Sequence, residues 1–223
     1  MFPVMLIGPP VASILLTAST HGRQGLRSLL SRLAKWKVPV TWYLFTLFPP
    51  CLMMLVLLLL KNFVSPIFSP NFFAPGFLFA IPAGFLEEIG WTGFALPNLL
   101  MKKKLVGAGF TVGALWGLWH LPVIDFLGAA SPHGKYLLPF FLSFAALLTA
   151  MRMLMAWVYA HTKSIFIMQV MHLVFTGSLV MIGPDKTSPS QETLWYAVYA
   201  GALLILTLAI TAKSNKGRLK FLF

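Results

Sequence analysis

Seven blocks of largely apolar residues run through the sequence, at roughly 2–19, 41–60, 75–98, 105–123, 137–160, 164–182 and 193–211. A helix needs about 20 such residues to cross the hydrocarbon core of a bilayer. The spacing therefore predicts an all-α fold, a polytopic transmembrane bundle of about seven spanning helices. Composition agrees: 58% of residues are hydrophobic and 10% charged, outside the range of soluble domains. The first block carries Gly8, Pro9 and Pro10 where a signal peptide has its apolar centre, and no basic segment precedes it, so it reads as a retained helix.

The net charge of +12 raises the question of nucleic acid, but the placement of the charges answers it. Arg23, Arg27, Arg32, Lys35 and Lys37 follow the first block, Lys102, Lys103 and Lys104 the third, and Lys163 the fifth. Lys213, Lys216, Arg218 and Lys220 follow the last, while the alternate loops hold Lys61, Lys135 and Lys186. This alternation places the N-terminus outside and the C-terminus in the cytoplasm. The excess charge is read as topology and contact with anionic lipids of the inner leaflet, with no nucleic-acid partner. Segment 21–37 mixes Leu26, Leu29, Leu30, Leu33 and Trp36 with its bases and is expected to lie as an amphipathic helix on that leaflet. A single cysteine, Cys51, excludes a disulfide framework. Without an internal repeat or long linker, residues 1–223 read as one membrane domain.

The acids are few: Glu87, Glu88, Asp125, Asp185 and Glu192. The last three fall in loops or at block ends, where water is expected to solvate them. Glu87 and Glu88 lie midway along the third block, and ionisable groups at that depth mark function. Neighbours on a helix point about 100° apart, so one is expected to face a central cavity and the other to be held by surrounding groups. Two adjacent carboxylates in a low dielectric suit acid–base work. The plain alternative is a protonated pair that ties helices together. His120, near the end of the fourth block, and His172, within the sixth, sharpen the case. Single membrane histidines more often bridge helices, but two beside paired acids form a constellation. Counted along ideal helices, His120 comes out deeper than Glu87 and His172, so convergence requires the fourth helix to tilt or start late. Thr92 follows Glu88 by four residues, Trp116 precedes His120 by four, and Thr176 follows His172 by four, each on a shared helix face. Arg152, inside the fifth block, either snorkels to the interface or supplies a cation to the acids. Trp91, Trp116 and Trp119 are candidates to wall a pocket or simply to pack. His21, His133 and His161 receive no role.

The order EEIGWTGFALP, GALWGLWHLP, MHLVFTGS on successive apolar blocks resembles the CPBP family, the CAAX prenyl proteases and bacteriocin-processing or immunity proteins also called the Abi family. The motif-bearing core runs over about 75–182, within a resemblance that covers most of the chain. Glu87, Glu88, His120 and His172 match the family motifs directly. Thr92 stands where the family has arginine, Trp116 where it has phenylalanine, and Thr176 where it has asparagine. The resemblance implies a glutamate-type intramembrane endopeptidase of a bacterial cell membrane, acting on a peptide or membrane-protein substrate. In that reading Glu87 is the general base, His120 and His172 orient water and stabilise the oxyanion, Thr176 assists, and Glu88, Thr92, Trp116 and Arg152 support the site. Hydrolysis needs water, so a polar cavity open to the cytoplasmic side is expected.

No cofactor is expected. A zinc ion on Glu87, His120 and His172 matches a catalytic ligand count, but the sequence lacks H-E-x-x-H and the glutamate mechanism needs no metal. Two rival readings stay open: a catalytically inactive bacteriocin immunity or membrane binding protein, favoured by Thr92 and Thr176, and a transporter or proton relay. Against the latter, paired discontinuous helices and repeat symmetry are not evident. Oligomeric state and the identity of the substrate are not legible.

Overall fold

The computed structural model describes residues 2–216; Arg218 and Lys220 of the last basic cluster lie outside the described residues. Every regular element among the described residues is helical. They are α1 (Phe2–Leu33), α2 (Val40–Phe45), α3 (Phe48–Phe63), α4 (Gly76–Pro82), α5 (Glu88–Gly90), α6 (Leu96–Leu100), α7 (Leu105–Trp119), α8 (Leu137–Thr162), α9 (Ile165–Ile182) and α10 (Pro189–Lys216). Among the described residues five stretches are long and apolar enough to cross a membrane: Pro3–Leu33, Val40–Phe63, Gly134–Thr162, Ile165–Ile182 and Pro189–Lys213. The fourth expected span is shorter, ending at Trp119. The third is a helical run interrupted by two π-helical turns, Ala83–Glu87 and Trp91–Ala95, which join α4, α5 and α6.

The first helix also departs from expectation. It does not stop near residue 19 but continues to Leu33 through a kink at Gly22, whose φ of 57° and ψ of −151° suit a residue without Cβ. The basic 21–37 segment is thus largely the bent continuation of α1. Beyond the kink, Leu29 is buried and Arg32 donates from Nη2 to the Gly93 carbonyl at 3.0 Å and from Nη1 to Tyr159 Oη at 2.9 Å.

The centre of the bundle is α8. Residues 150–156 on it are buried on every side, the pattern of a helix enclosed by others rather than of a one-faced surface helix. α7 and α10 pack along it most extensively, and α9 packs against α4 and the first π turn, which α1 also contacts. Two glycines set how closely the acid-bearing run approaches its neighbours. A Cβ on Gly84 would lie 2.8 Å from Leu173 N, and one on Gly90 would lie 2.5 Å from Pro9 Cβ. Gly84→Ala is accordingly expected to force α9 outward, costing about 1–3 kcal/mol as an overpacked contact. Thermal unfolding in detergent checks this, and Gly107→Ala, where only Lys103 Cβ comes within 4 Å of the added carbon, is the control.

Candidate active site

The two acids have separate environments. Glu88, fully buried, is enclosed by three partners. Thr92 Oγ1 donates to its Oε2 from one turn along the same run. Arg152 Nη1 donates to Oε2 at 2.8 Å, and His172 Nδ1 lies 2.8 Å from Oε1. A buried carboxylate is tolerable only when paired and hydrogen-bonded in this way. Arg152 is itself fully buried and does not reach for the interface. Its Cζ sits 4.3 Å from the centre of the Trp116 ring, which receives the cation on its π face.

Glu87 carries no such cage and lines a cavity of about 640 Å³. Its Oε2 accepts from Trp116 Nε1 at 2.9 Å and, at a longer 3.4 Å, from Trp91 Nε1. Both indole donors fall on Oε2, and neither reaches Oε1. The π turns matter here: each widens the helix by a residue, a feature that recurs at functional sites, and together they flank Glu88. Trp116→Phe would keep an aromatic ring over His172 but remove the shorter donor. It is expected to cost about 1.5–3 kcal/mol, the range for a hydrogen bond to a charged group, in unfolding experiments that compare it with Trp119→Phe.

His120 and His172 join the same cavity. The Trp116 ring links them, edge-to-face with His172 at 4.8 Å and with His120 at 5.8 Å. His120 caps α7, with Nδ1 2.8 Å from the Trp116 carbonyl. The helix begins at Leu105, so a late start is not what brings His120 into place. Among the described residues, neither Nε2 has a hydrogen-bond partner. Thr176 lies one turn beyond His172 and also lines the cavity. Trp91 and Trp119, in contact with each other at 6.1 Å, instead wall a smaller recess beside Gly8 and Pro9.

The cavity differs from the one expected. Its walls are mainly apolar, from Leu78, Val123, Leu127, Phe144, Leu148 and Leu179. It also lies toward the opposite end of the bundle from the basic segments, where α1, α4, α8 and α10 begin and α7 and α9 end. On the basic side Leu29 packs against Gly93 and Arg32 binds the Gly93 carbonyl, and a separate cavity of about 630 Å³ there, lined by Arg32, Gly93 and Tyr159 among others, does not include either acid in its walls. The residues weighed as zinc ligands do not gather as a set. Among the described residues no three His, Cys, Asp or Glu side chains are grouped to hold an ion. Glu192 is a further correction. It was expected to be solvated, yet it is only 2% exposed and contacts His133, a residue left without a role. Its position at a block end gave no sign of this, because the loop before α8 folds back over it.

One caged carboxylate, one cavity-lining carboxylate and two histidines on the same cavity make an arrangement compatible with an intramembrane hydrolase. Comparison with known proteins agrees. Residues 69–178 match the profile of the type II CAAX prenyl endopeptidase Rce1-like family. The chain is also 26% identical over 234 residues to CAAX prenyl protease 2 of Methanococcus maripaludis, covering 95% of this chain and 80% of that protein. The match and the relative together support the Rce1-like CAAX prenyl endopeptidase family, and with it a membrane endopeptidase.

Proposed function

We propose that this endopeptidase is of the glutamate type, with Glu87 as the general base that activates water for attack on a scissile carbonyl. The observation that carries this reading is the division of labour between the acids: Glu88 is consumed by Arg152, Thr92 and His172, while Glu87 faces the cavity. A carbonyl and a carboxylate only accept, so Nδ1–H donates in both histidines, which leaves Nε2 as the acceptor whenever the ring carries a single proton. Such a nitrogen holds the attacking water. Once protonated it becomes a donor, able to stabilise the oxyanion or pass its proton to the leaving amine. Thr176 adds a hydroxyl on the same wall.

The substrate is an apolar or lipid-bearing peptide segment, which the aliphatic walls would accept by burial. The relative's name, CAAX prenyl protease 2, favours a C-terminal segment carrying a prenyl group. The charge pattern favours a cell-membrane protein with its C-terminus in the cytoplasm and its basic end on anionic lipid. No metal enters the mechanism.

The test is cleavage of internally quenched peptides by purified protein, one set ending in a farnesylated CAAX sequence and one set unmodified. Cleavage of the farnesylated set that is lost in His172→Ala supports the reading. Cleavage of both sets alike retains the peptidase and removes the prenyl preference. Intact peptides throughout, from protein shown to be folded, would overturn the proposed substrate class.

A further inference from the structure

The segment between α7 and α8 forms part of the cavity wall, through Val123, Leu127 and Gly128. It carries no long element of its own, only two short 3₁₀ turns, Leu121–Phe126 and Gly134–Tyr136. What fixes it is a cluster at the first turns of α10. The buried Glu192 carboxylate accepts from the backbone N–H of Ala129 through Oε1 and of Ala130 through Oε2, each at 2.9 Å. His133 Nε2 lies 3.2 Å from Glu192 Oε2, and His133 Nδ1 lies 3.3 Å from Asp125 Oδ1, which also accepts from His133 N at 2.8 Å. The imidazole stacks on Phe140 of α8 at 3.8 Å. Gly128, at a φ of 86°, passes so close that a Cβ there would lie 2.5 Å from Glu192 Oε1. One turn after Glu192, Tyr196 lines the same cavity.

We propose that Glu192 is a positioning residue that latches the Leu121–Tyr136 segment as a wall of the substrate cavity, and so sets which peptides the cavity admits. The proposal rests on the peptidase reading above for its substrate, but not for its mechanics. An exposed connection is ordinarily free to move. This one is tied by a single buried side chain that binds two consecutive amides and an imidazole, all within the segment that borders the cavity. Glu192 reaches no reacting atom; it acts through the backbone it holds. Replacing its carboxylate by a carboxamide sets an N–H₂ against one of two N–H donors, so one tie becomes a repulsive contact while side-chain volume is kept.

Glu192→Gln is the variant to test, with His133→Gln as the milder version should the first fold poorly. Hydrogen exchange of peptides spanning Ala129 and Ala130 is expected to speed up at least tenfold. With a cleaved peptide, KM is expected to rise about tenfold while kcat stays within about twofold, and the loss should differ between slim and bulky residues beside the scissile bond. Faster exchange with KM unchanged, or with kcat and KM both altered regardless of peptide, would leave Glu192 a purely structural residue and overturn the proposal. If the wild type cleaves nothing, the peptidase reading fails separately. The latch is then judged by maleimide labelling of Ala83→Cys, a cavity residue, in a Cys51→Ala background. Glu192→Gln should accelerate that labelling, and an unchanged rate overturns the latch.

Discussion

Glu87→Gln is expected to lower kcat for peptide cleavage by about 10²–10⁴-fold, the range for loss of a positioned general base. The substitution is close to isosteric, and the amide oxygen can still accept from Trp116 Nε1 and Trp91 Nε1. The fold should therefore survive, with KM changed little, because the missing function is proton abstraction rather than binding. Steady-state cleavage beside a thermal melt separates the two. A Glu87→Gln protein that retains cleavage within tenfold of the wild type would remove Glu87 from its role and require a base elsewhere on the cavity.

Arg152→Met should act first on the fold. It leaves the fully buried Glu88 carboxylate without its cation, and breaking a buried pair by removing one partner costs about 3–5 kcal/mol. Methionine keeps most of the aliphatic volume, so the loss reports charge and not packing. Glu88→Gln combined with Arg152→Met removes both charges and should recover much of the stability, while activity stays low because the carboxamide has one accepting oxygen where the carboxylate serves Thr92 and His172 with two. Unfolding of the single and double variants in one detergent decides the matter. Additive losses would show that Arg152 and Glu88 do not act as a pair.

The parts of this site legible in the sequence were the local ones. Glu88 and Thr92, or Trp116 and His120, sit four residues apart, so a helix puts each pair on one face without further information. Arg152 and Glu88 are 64 residues apart, and only packing of α8 at the centre of the bundle brings them together. Arg152 was one of two equal readings in the sequence; its burial excludes snorkelling. It gives Glu88 a cation from another helix, where Thr92 supplies only a hydroxyl. The π turns were illegible because apolar spacing reports a face and not an added residue. The cavity's placement was misjudged because depth was counted along ideal helices, and nothing in the sequence announced that Arg32 and Leu29 would meet Gly93 on the basic side of the acids. Glu192 and His133 were read by position alone, and a residue near a loop is not always in water.

The placement of the cavity also bears on how a substrate is captured. The loops at that end carry Lys61, Lys135 and Lys186, whereas the dense cationic segments surround the other end. Through the surrounding salt water, fields from exposed charges fade over about 8–10 Å at physiological ionic strength. A peptide nearing Glu87 thus feels little long-range guidance from the protein's excess charge. On the proposed reading, encounter is expected to depend on partition into the bilayer and two-dimensional diffusion along it, with the apolar cavity walls doing the selecting.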